Sequence, residues 1–318
     1  MSDKVDRAAV WLIKREKDFK GQIIFDEPLS HHTYYRIGGP ARVLAVPRCL
    51  ADLQILAELL SAHPIPYFLL GAGSNVLAPD AGFDGLIIRT HKMNEEISVS
   101  EKDGTVLLRT GASLQLFGLL RRASTEGWGG LEFLAGIPGS VGGAIFMNAG
   151  THLGETKDVL RRIELFSFTS PSEHLLAIQT KSTDFAYRKN LLIQPGNLLW
   201  AAEWEITKCE PEAVSRGIES VLERRKSSQP LNFPSCGSVF KNPKSADGAK
   251  MLSWQIIEKL GLRGHTVGKA QFAEKHCNFI INLGGATAAD VRTLIDLAKA
   301  RAKDELGVTL EEEVIEIV

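Results

Sequence analysis

The 318-residue sequence is short of cysteine: four residues, Cys49, Cys209, Cys236 and Cys277, with no Cys-x-x-Cys pair and no histidine at matching spacing. That excludes a disulfide framework and a structural zinc site, and fits a reducing cytoplasm. The eight histidines show no metal-ligand spacing, so no metal is expected; His31, His32 and His276 read as surface or core-satisfied residues. No run of 18 or more apolar residues exists, which excludes a transmembrane helix. The first 20 residues mix Asp3, Lys4, Asp6, Arg7, Lys14, Arg15 and Glu16 with a short apolar run and lack the core and cleavage site of a signal peptide. Net charge is −1, which predicts neither nucleic acid nor an anionic membrane as partner but leaves room for a local basic pocket. There is no internal repeat and no Gly-x-x-x-x-Gly-Lys-Ser/Thr loop, so a P-loop nucleotide site is excluded.

What the chain has is glycine in one place. Nine of its 29 glycines lie from Gly127 to Gly154, interleaved with Phe133, Leu134, Ile137, Val141, Ile145, Phe146 and Met147. Glycine weakens helices and strands, so this density in an apolar stretch needs a reason. A buried, glycine-rich backbone lets a ligand approach bare N–H groups, phosphate above all; the alternative is a tight turn in a crowded core. A second glycine turn, Gly71-Ala-Gly-Ser-Asn75, follows the short apolar strand Tyr67-Phe-Leu-Leu70, with Val76 where a dinucleotide fingerprint has its third glycine. Each turn carries a serine (Ser74, Ser140) and is followed by an asparagine (Asn75, Asn148), so the pair could hold one diphosphate from two sides.

The length suggests about two domains at roughly 150 residues each. Helices are expected over residues 4–19, 50–62, 114–125, 212–225 and 251–260. The last helix opens at the capping box Thr287-Ala-Ala-Asp290, with Val291, Leu294, Ile295 and Ala298 as its stripe. Strands are expected at 67–70, 86–88, 106–108, 160–168, 198–206, 279–282 and 309–318, with a domain boundary near Lys208-Cys-Glu-Pro211.

Three further stretches carry candidate chemistry. In Thr183-Asp-Phe-Ala-Tyr-Arg-Lys-Asn190, Arg188 could clamp a carboxylate bidentately or sit in a structural ion pair. In Pro234-Ser-Cys-Gly-Ser-Val-Phe-Lys-Asn-Pro243, Ser238 is outside any Gly-x-Ser-x-Gly elbow, which argues against a hydrolase triad and leaves a turn serine as the plain reading; Cys236 reads as a packing residue. In Leu310-Glu-Glu-Glu-Val-Ile-Glu-Ile-Val318, period two puts Glu313 on a face with Ile315 and Ile317, either desolvated with a raised pKa or at a solvated strand start.

Taken in order, these pieces resemble one family, UDP-N-acetylenolpyruvoylglucosamine reductase (UDP-N-acetylmuramate dehydrogenase, MurB). The matching motifs are Thr33-Tyr-Tyr-Arg-Ile-Gly-Gly-Pro-Ala41, Leu70-Gly-Ala-Gly-Ser-Asn-Val-Leu77, Gly130 to Ala144, Tyr187-Arg188, Gln229-Pro230, Cys236-Gly-Ser-Val-Phe-Lys-Asn-Pro243, Glu274-Lys-His-Cys-Asn-Phe-Ile280 and Leu310-Glu-Glu-Glu-Val314. The resemblance runs from about Ser30 to Val318 and is to the shorter, type II form. It implies an α+β fold: an N-terminal helix over 1–20, a two-lobed FAD-binding domain of the PCMH (vanillyl-alcohol-oxidase) type over 21–207, with lobes of about 21–90 and 91–207, and a smaller α+β substrate-binding domain over 208–318. FAD would lie non-covalently between the lobes, against Tyr35, Arg36, Gly71, Gly73, Ser74, Asn75, Gly136, Gly139, Ser140, Gly142, Gly143 and Asn148.

The resemblance further implies reduction of FAD by NADPH, then hydride transfer to the enolpyruvyl group of a UDP-sugar, giving UDP-N-acetylmuramate for peptidoglycan synthesis. Arg188 and Glu313 would stabilise the enol-like intermediate and Ser238 would deliver the proton. Tyr187, Arg225, Gln229, Lys241 and Asn242 would contact the substrate. Three positions depart from the family's usual residues: Asn190 where serine is frequent, Ser228 where lysine is common, and Lys269 where glycine is frequent. The second leaves Arg225 or Lys226 to meet the substrate diphosphate. A cytoplasmic monomer with no nucleic-acid or membrane partner is expected. Two alternatives stand beside it: a flavin oxidase of a sugar or hydroxy acid on the same fold, and a nucleotide-binding regulator without turnover.

Overall fold

The computed structural model describes residues 2–15, 17–170, 175–243 and 251–318. The chain forms two compact units. The first comprises Met1–Phe25, Val43–Ala72 and Asp84–Arg225; the second comprises Asp26–Arg42, Gly73–Phe83 and Lys226–Val318. These units are not the ranges expected from chain order. The break falls inside the helix Pro211–Ser228 rather than near Lys208, and two N-terminal segments join the C-terminal third.

The first unit holds two cores. One forms on a four-stranded sheet in the order Gln22–Pro28, Pro40–Val46, Phe83–Arg89, Tyr67–Leu70. Helices Ser2–Lys14 and Leu50–Ala62 contribute Val5, Ala8, Leu12, Leu53, Leu56 and Leu59 to that core. Pro64 and Pro66 stop the second helix as its sequence predicts. The other core forms on an antiparallel sheet in the order Leu176–Gln179, Leu160–Ser167, Asn197–Lys208, Thr105–Gly111, Ile97–Lys102. The helix Leu116–Glu126 buries Leu116, Leu119, Leu120 and Ala123 in this core and ends at Gly127, whose φ of 69° closes it in the left-handed region.

The second unit has an antiparallel sheet of Thr266–Val267, Ala270–Phe272 and Ile280–Asn282 under the helices Ser253–Lys259 and Ala288–Leu306. The Thr287 capping box forms as expected. Thr287 Oγ1 accepts the Asp290 N–H at 3.0 Å and Asp290 returns the bond to the Thr287 N–H at 3.1 Å. Asp80 adds a carboxylate that accepts the N–H groups of Ala288 and Ala289 at 2.7 and 3.0 Å. Val291, Leu294, Ile295 and Ala298 are fully buried, the stripe read from the sequence.

The C-terminal segment departs from expectation. Only Ile315–Glu316 is strand, parallel to Val76–Leu77, with a lone bridge at Glu312. Leu310, Val314 and Ile317 are the buried residues, so the two-residue period assigned to this stretch does not hold. Pairing to different partners along its length breaks the alternation. Among the described residues no helix is long and apolar enough to cross a membrane.

Candidate functional site

In the first unit Gly71, which opens one glycine turn, lies beside Ser140 of the other. A Cβ added at Gly71 would touch only Ser140 Oγ, at 3.7 Å, and the same is true at Gly143. Neither residue has positive φ. The protein itself therefore demands glycine at neither place, and what a side chain would fill is open space beside backbone. Ser140 is buried and its Oγ accepts the Gly143 N–H at 3.3 Å. The N–H groups of Gly139 and Ser140 make no hydrogen bond among the described residues. Bare N–H groups beside unfilled space fit a diphosphate. Other glycines in the two turns have packing reasons instead. A Cβ at Gly142 would lie 3.0 Å from Ala112 O, and the Gly142 N–H is already given to that carbonyl at 2.8 Å. Gly142 thus has a packing reason to be glycine. Gly136, with φ of 71°, lies under Arg225, whose Cδ and Nε would come within 2.7 Å of an added Cβ. Arg225 Nε is buried with no hydrogen-bond partner, and burial lowers the pKa of its guanidinium. This places a cation on the glycine segment itself.

Asn148 was expected to touch the cofactor; its side chain is instead taken up inside the protein. It is fully buried, donates from Nδ2 to Glu155 Oε2 at 3.0 Å and to Ala186 O at 3.2 Å, and accepts the Lys157 N–H at Oδ1 at 3.1 Å. Ala186 leads into the site's arginine. Phe185–Ala186 and Lys189–Asn190 form a hairpin whose two-residue loop is Tyr187-Arg188. Arg188 has φ of 58°, a conformation that suits glycine or asparagine. Its Nη2 donates to Gly150 O at 3.2 Å and its guanidinium stands 4.9 Å from the Tyr187 ring centroid. Among the described residues only five other than glycine have positive φ; Arg36, Asn148 and Arg188 are three of them. Strain of this kind concentrates where function holds it.

In the second unit, residues 238–241 run between two partners. Ser238 bridges to Phe279 on one side. On the other, Phe240 bridges to Glu312, the Glu313 N–H donates to Val239 O at 2.7 Å and the Lys241 N–H donates to Glu311 O at 2.9 Å. Asn75 Nδ2 donates to Glu313 O at 2.9 Å, so the first glycine turn reaches this strand pair. Glu313, far away in sequence, thereby stands across from Val239, the residue after Ser238. Ser238 is half-buried and its hydroxyl makes no hydrogen bond among the described residues. The preceding Gly237 has φ of 81° and open space where a Cβ would stand.

Tyr35 is a correction. It was expected at the cofactor, but it is fully buried in the core of the second unit beside Cys236, Phe240 and Phe272. Its hydroxyl is buried and makes no hydrogen bond among the described residues, and burial, with the Cys236 thiol beside it, raises its pKa well above the ordinary value. Burial likewise pushes the Cys236 thiol up to about 12, with the nearby Glu313 charge adding to it. A thiol so held stays protonated and inert, the packing role read from the sequence. Arg36, next along the chain, is exposed. Gly73 is glycine because a Cβ would strike His32 O at 2.0 Å. Lys241 pairs with Glu311 at 3.6 Å, and Asn242 Oδ1 accepts the Ser253 N–H at 2.9 Å, so both have work inside the protein. Gln229 Oε1 is buried without a partner among the described residues.

His276 is neither a surface nor a satisfied histidine. Its Nδ1 is buried with no partner among the described residues, burial lowers its pKa, and its ring stands edge-on to Phe279 at 4.9 Å. Phe279 is the bridge partner of Ser238. The motif Glu274 to Ile280 was the signal available in the sequence. Among the described residues no three His, Cys, Asp or Glu side chains could hold a metal ion.

Comparison with known proteins agrees with both units. A family model described as the FAD binding domain matches residues 41–168, and one described as the C-terminal domain of UDP-N-acetylenolpyruvoylglucosamine reductase matches 229–317. The UDP-N-acetylenolpyruvoylglucosamine reductase of Moorella thermoacetica is 41% identical over 93% of this chain and 93% of its own. That of Pseudothermotoga lettingae is 39% identical over 94% of this chain and 99% of its own. The crystal structure of the reductase from Thermus caldophilus, 31% identical, matches with a TM-score of 0.75 over 94% of this chain and 99% of that one. The fold is therefore the α+β one expected, an FAD-binding domain of the PCMH type with a smaller C-terminal domain. The chain belongs to the UDP-N-acetylenolpyruvoylglucosamine reductase family.

Proposed function

We propose that the protein is an NADPH-dependent flavoenzyme that reduces the enolpyruvyl group of UDP-N-acetylglucosamine enolpyruvate to the lactyl ether, giving UDP-N-acetylmuramate for peptidoglycan precursors. The observation that carries this reading, beyond family membership, is the strand register that brings the Glu313 backbone against Val239, the residue after Ser238, with Asn75 donating to the Glu313 carbonyl. Gly71, Gly139, Ser140 and Gly143 would hold the FAD diphosphate, with Arg225 as the cation at the segment's start. FAD, when bound, supplies the hydride chemistry, taking hydride from NADPH and giving it to the terminal vinyl carbon. The chain's own residues manage the charge that follows. The Arg188 guanidinium meets the substrate carboxylate, where a planar fork matches two oxygens. Glu313 stabilises the enol-like intermediate with it. Ser238 gives its hydroxyl proton to the carbon beside the carboxylate. Serine is a weak acid in water, so its proton moves only to a strongly basic carbon in a dry site. A hydroxyl that makes no hydrogen bond among the described residues suits that task. The four cysteines are all unpaired, which supports a reducing cytoplasm as the place of action.

Stopped-flow spectra test this by following flavin reduction by NADPH apart from reoxidation by the enolpyruvyl substrate. Ser238→Ala should lower substrate-driven reoxidation by about 10²–10⁴, or roughly 3–5 kcal/mol of transition-state stabilisation, with reduction by NADPH near normal. Reoxidation as fast as in the parent enzyme would leave Ser238 a turn residue. Rapid turnover with oxygen in place of the substrate would identify an oxidase.

A further inference from the structure

Arg188 holds a backbone conformation that an arginine disfavours, so something must hold the loop. Both strands of its hairpin are tied to the glycine segment by side-chain amides. From one strand, the Ala186 carbonyl accepts Asn148 Nδ2 at 3.2 Å. From the other, Asn190 is buried, its Nδ2 donating to Ile145 O at 3.4 Å and its Oδ1 accepting the Leu192 N–H at 2.9 Å. Asn148 is itself fixed by Glu155 Oε2 and the Lys157 N–H, and sits two residues before Gly150, whose carbonyl accepts the Arg188 guanidinium. We infer that Asn148, with Asn190 opposite it, is a positioning residue for Arg188: the two amides clasp the hairpin to residues 145–148 and fix where the guanidinium stands. The clasp also accounts for the strain, since Asn148 is left-handed as well, at φ of 41°, and both positive-φ residues belong to one hydrogen-bonded unit. Asn190, where the family often has serine, has the length to reach Ile145 O.

The inference rests on the proposed role of Arg188 at the substrate carboxylate. A reacting group displaced by about 1 Å can lose roughly 10²-fold in rate. Asn148→Ala should therefore slow substrate-driven flavin reoxidation by about 10–100-fold, leaving flavin reduction by NADPH and FAD affinity near the parent values. The decisive arm is a double-mutant cycle. In an Arg188→Ala background, Asn148→Ala should cause no further slowing, because it acts only through the guanidinium. A readout independent of turnover is hydrogen exchange, where the Leu191 and Leu192 amides should exchange faster in Asn148→Ala. If Asn148→Ala does not fold, Asn190→Ala is expected to give the same kinetic pattern from the other strand. Equal slowing of both half-reactions, or losses that multiply in the double variant, would overturn the inference. Its failure is separable from that of the reading beneath it, since Arg188→Ala alone failing to slow reoxidation selectively would remove the role of Arg188, whatever Asn148 does.

Discussion

At the scale of single residues, Arg188 exposes a conflict between stability and chemistry. A left-handed conformation costs an L-residue about 1–2 kcal/mol, while glycine gives back roughly 0.5–1 kcal/mol through its freer unfolded state. Arg188→Gly should thus be more stable than Arg188→Ala by up to about 1 kcal/mol, though both lose the guanidinium and both reoxidise slowly with substrate. Denaturant unfolding of the FAD-free proteins gives the comparison, and a glycine variant less stable than the alanine one would show that φ of 58° carries no strain. Arg188 itself was legible in the sequence through Tyr187-Arg188. Asn148 and Tyr35 were not rightly legible, because their motifs say that they matter and not which way they point. Whether a motif residue touches a ligand or holds the motif together depends on burial, which here removes both side chains from the surface.

At the scale of elements, the glycine turns separate into glycines the fold needs and glycines it does not. Gly143 lies inside the helix Val141–Phe146, where glycine is roughly 1 kcal/mol worse than alanine. A Cβ there meets only Ser140 Oγ at ordinary contact distance. Gly143→Ala should therefore stabilise the FAD-free protein by up to about 1 kcal/mol while weakening FAD binding. Gly73→Ala should instead destabilise the FAD-free protein, since its Cβ collides with His32 O and its φ is 75°. Thermal melts without FAD, paired with flavin titrations, separate the two; a Gly143→Ala protein that binds FAD as the parent does would make the segment a crowded turn and no cradle. Both turns stood out in the spacing of glycines, but their members could not be sorted from it, because spacing records that glycine is present and not what stands beside it. Helices with caps were the most legible elements, Leu50–Ala62 and Ala288–Leu306 above all, since cap and stripe are local. The C-terminal stretch was misread because its burial follows four partners, Val239, Lys241, Asn75 and Leu77, that sequence period cannot reveal.

At the scale of the whole molecule, chain order hides how the second unit is made, from Asp26–Arg42, Gly73–Phe83 and the C-terminal third together. Composition is nearly balanced, with 37 basic and 38 acidic residues, so the response to acid falls to individual carboxylates. The four with a lowered pKa, Glu27, Asp290, Glu305 and Glu312, all lie in the second unit. At Glu312 burial works to raise the pKa, but hydrogen bonds from Arg292 and Lys299, both at 2.9 Å, outweigh it. At Glu27 burial likewise opposes, and bonds to His32 and His31 prevail. Asp290 is held down first by the Thr287 N–H. A carboxylate whose folded pKa is depressed contributes stability that is present above its unfolded value, near 4, and is lost as pH falls through the folded one. The second unit should accordingly lose stability before the first as pH drops below about 4. Trp254 is the one tryptophan of the five in the second unit. Its contribution to fluorescence, obtained by difference from Trp254→Phe, should thus change at higher pH than the signal of Trp11, Trp128, Trp200 and Trp204. Glu312→Gln should be less stable at pH 7 and should show a shallower fall of stability in acid, since it has no carboxylate to protonate. Tryptophan signals that change together, or first in the first unit, would mean that these four carboxylates do not govern the acid response.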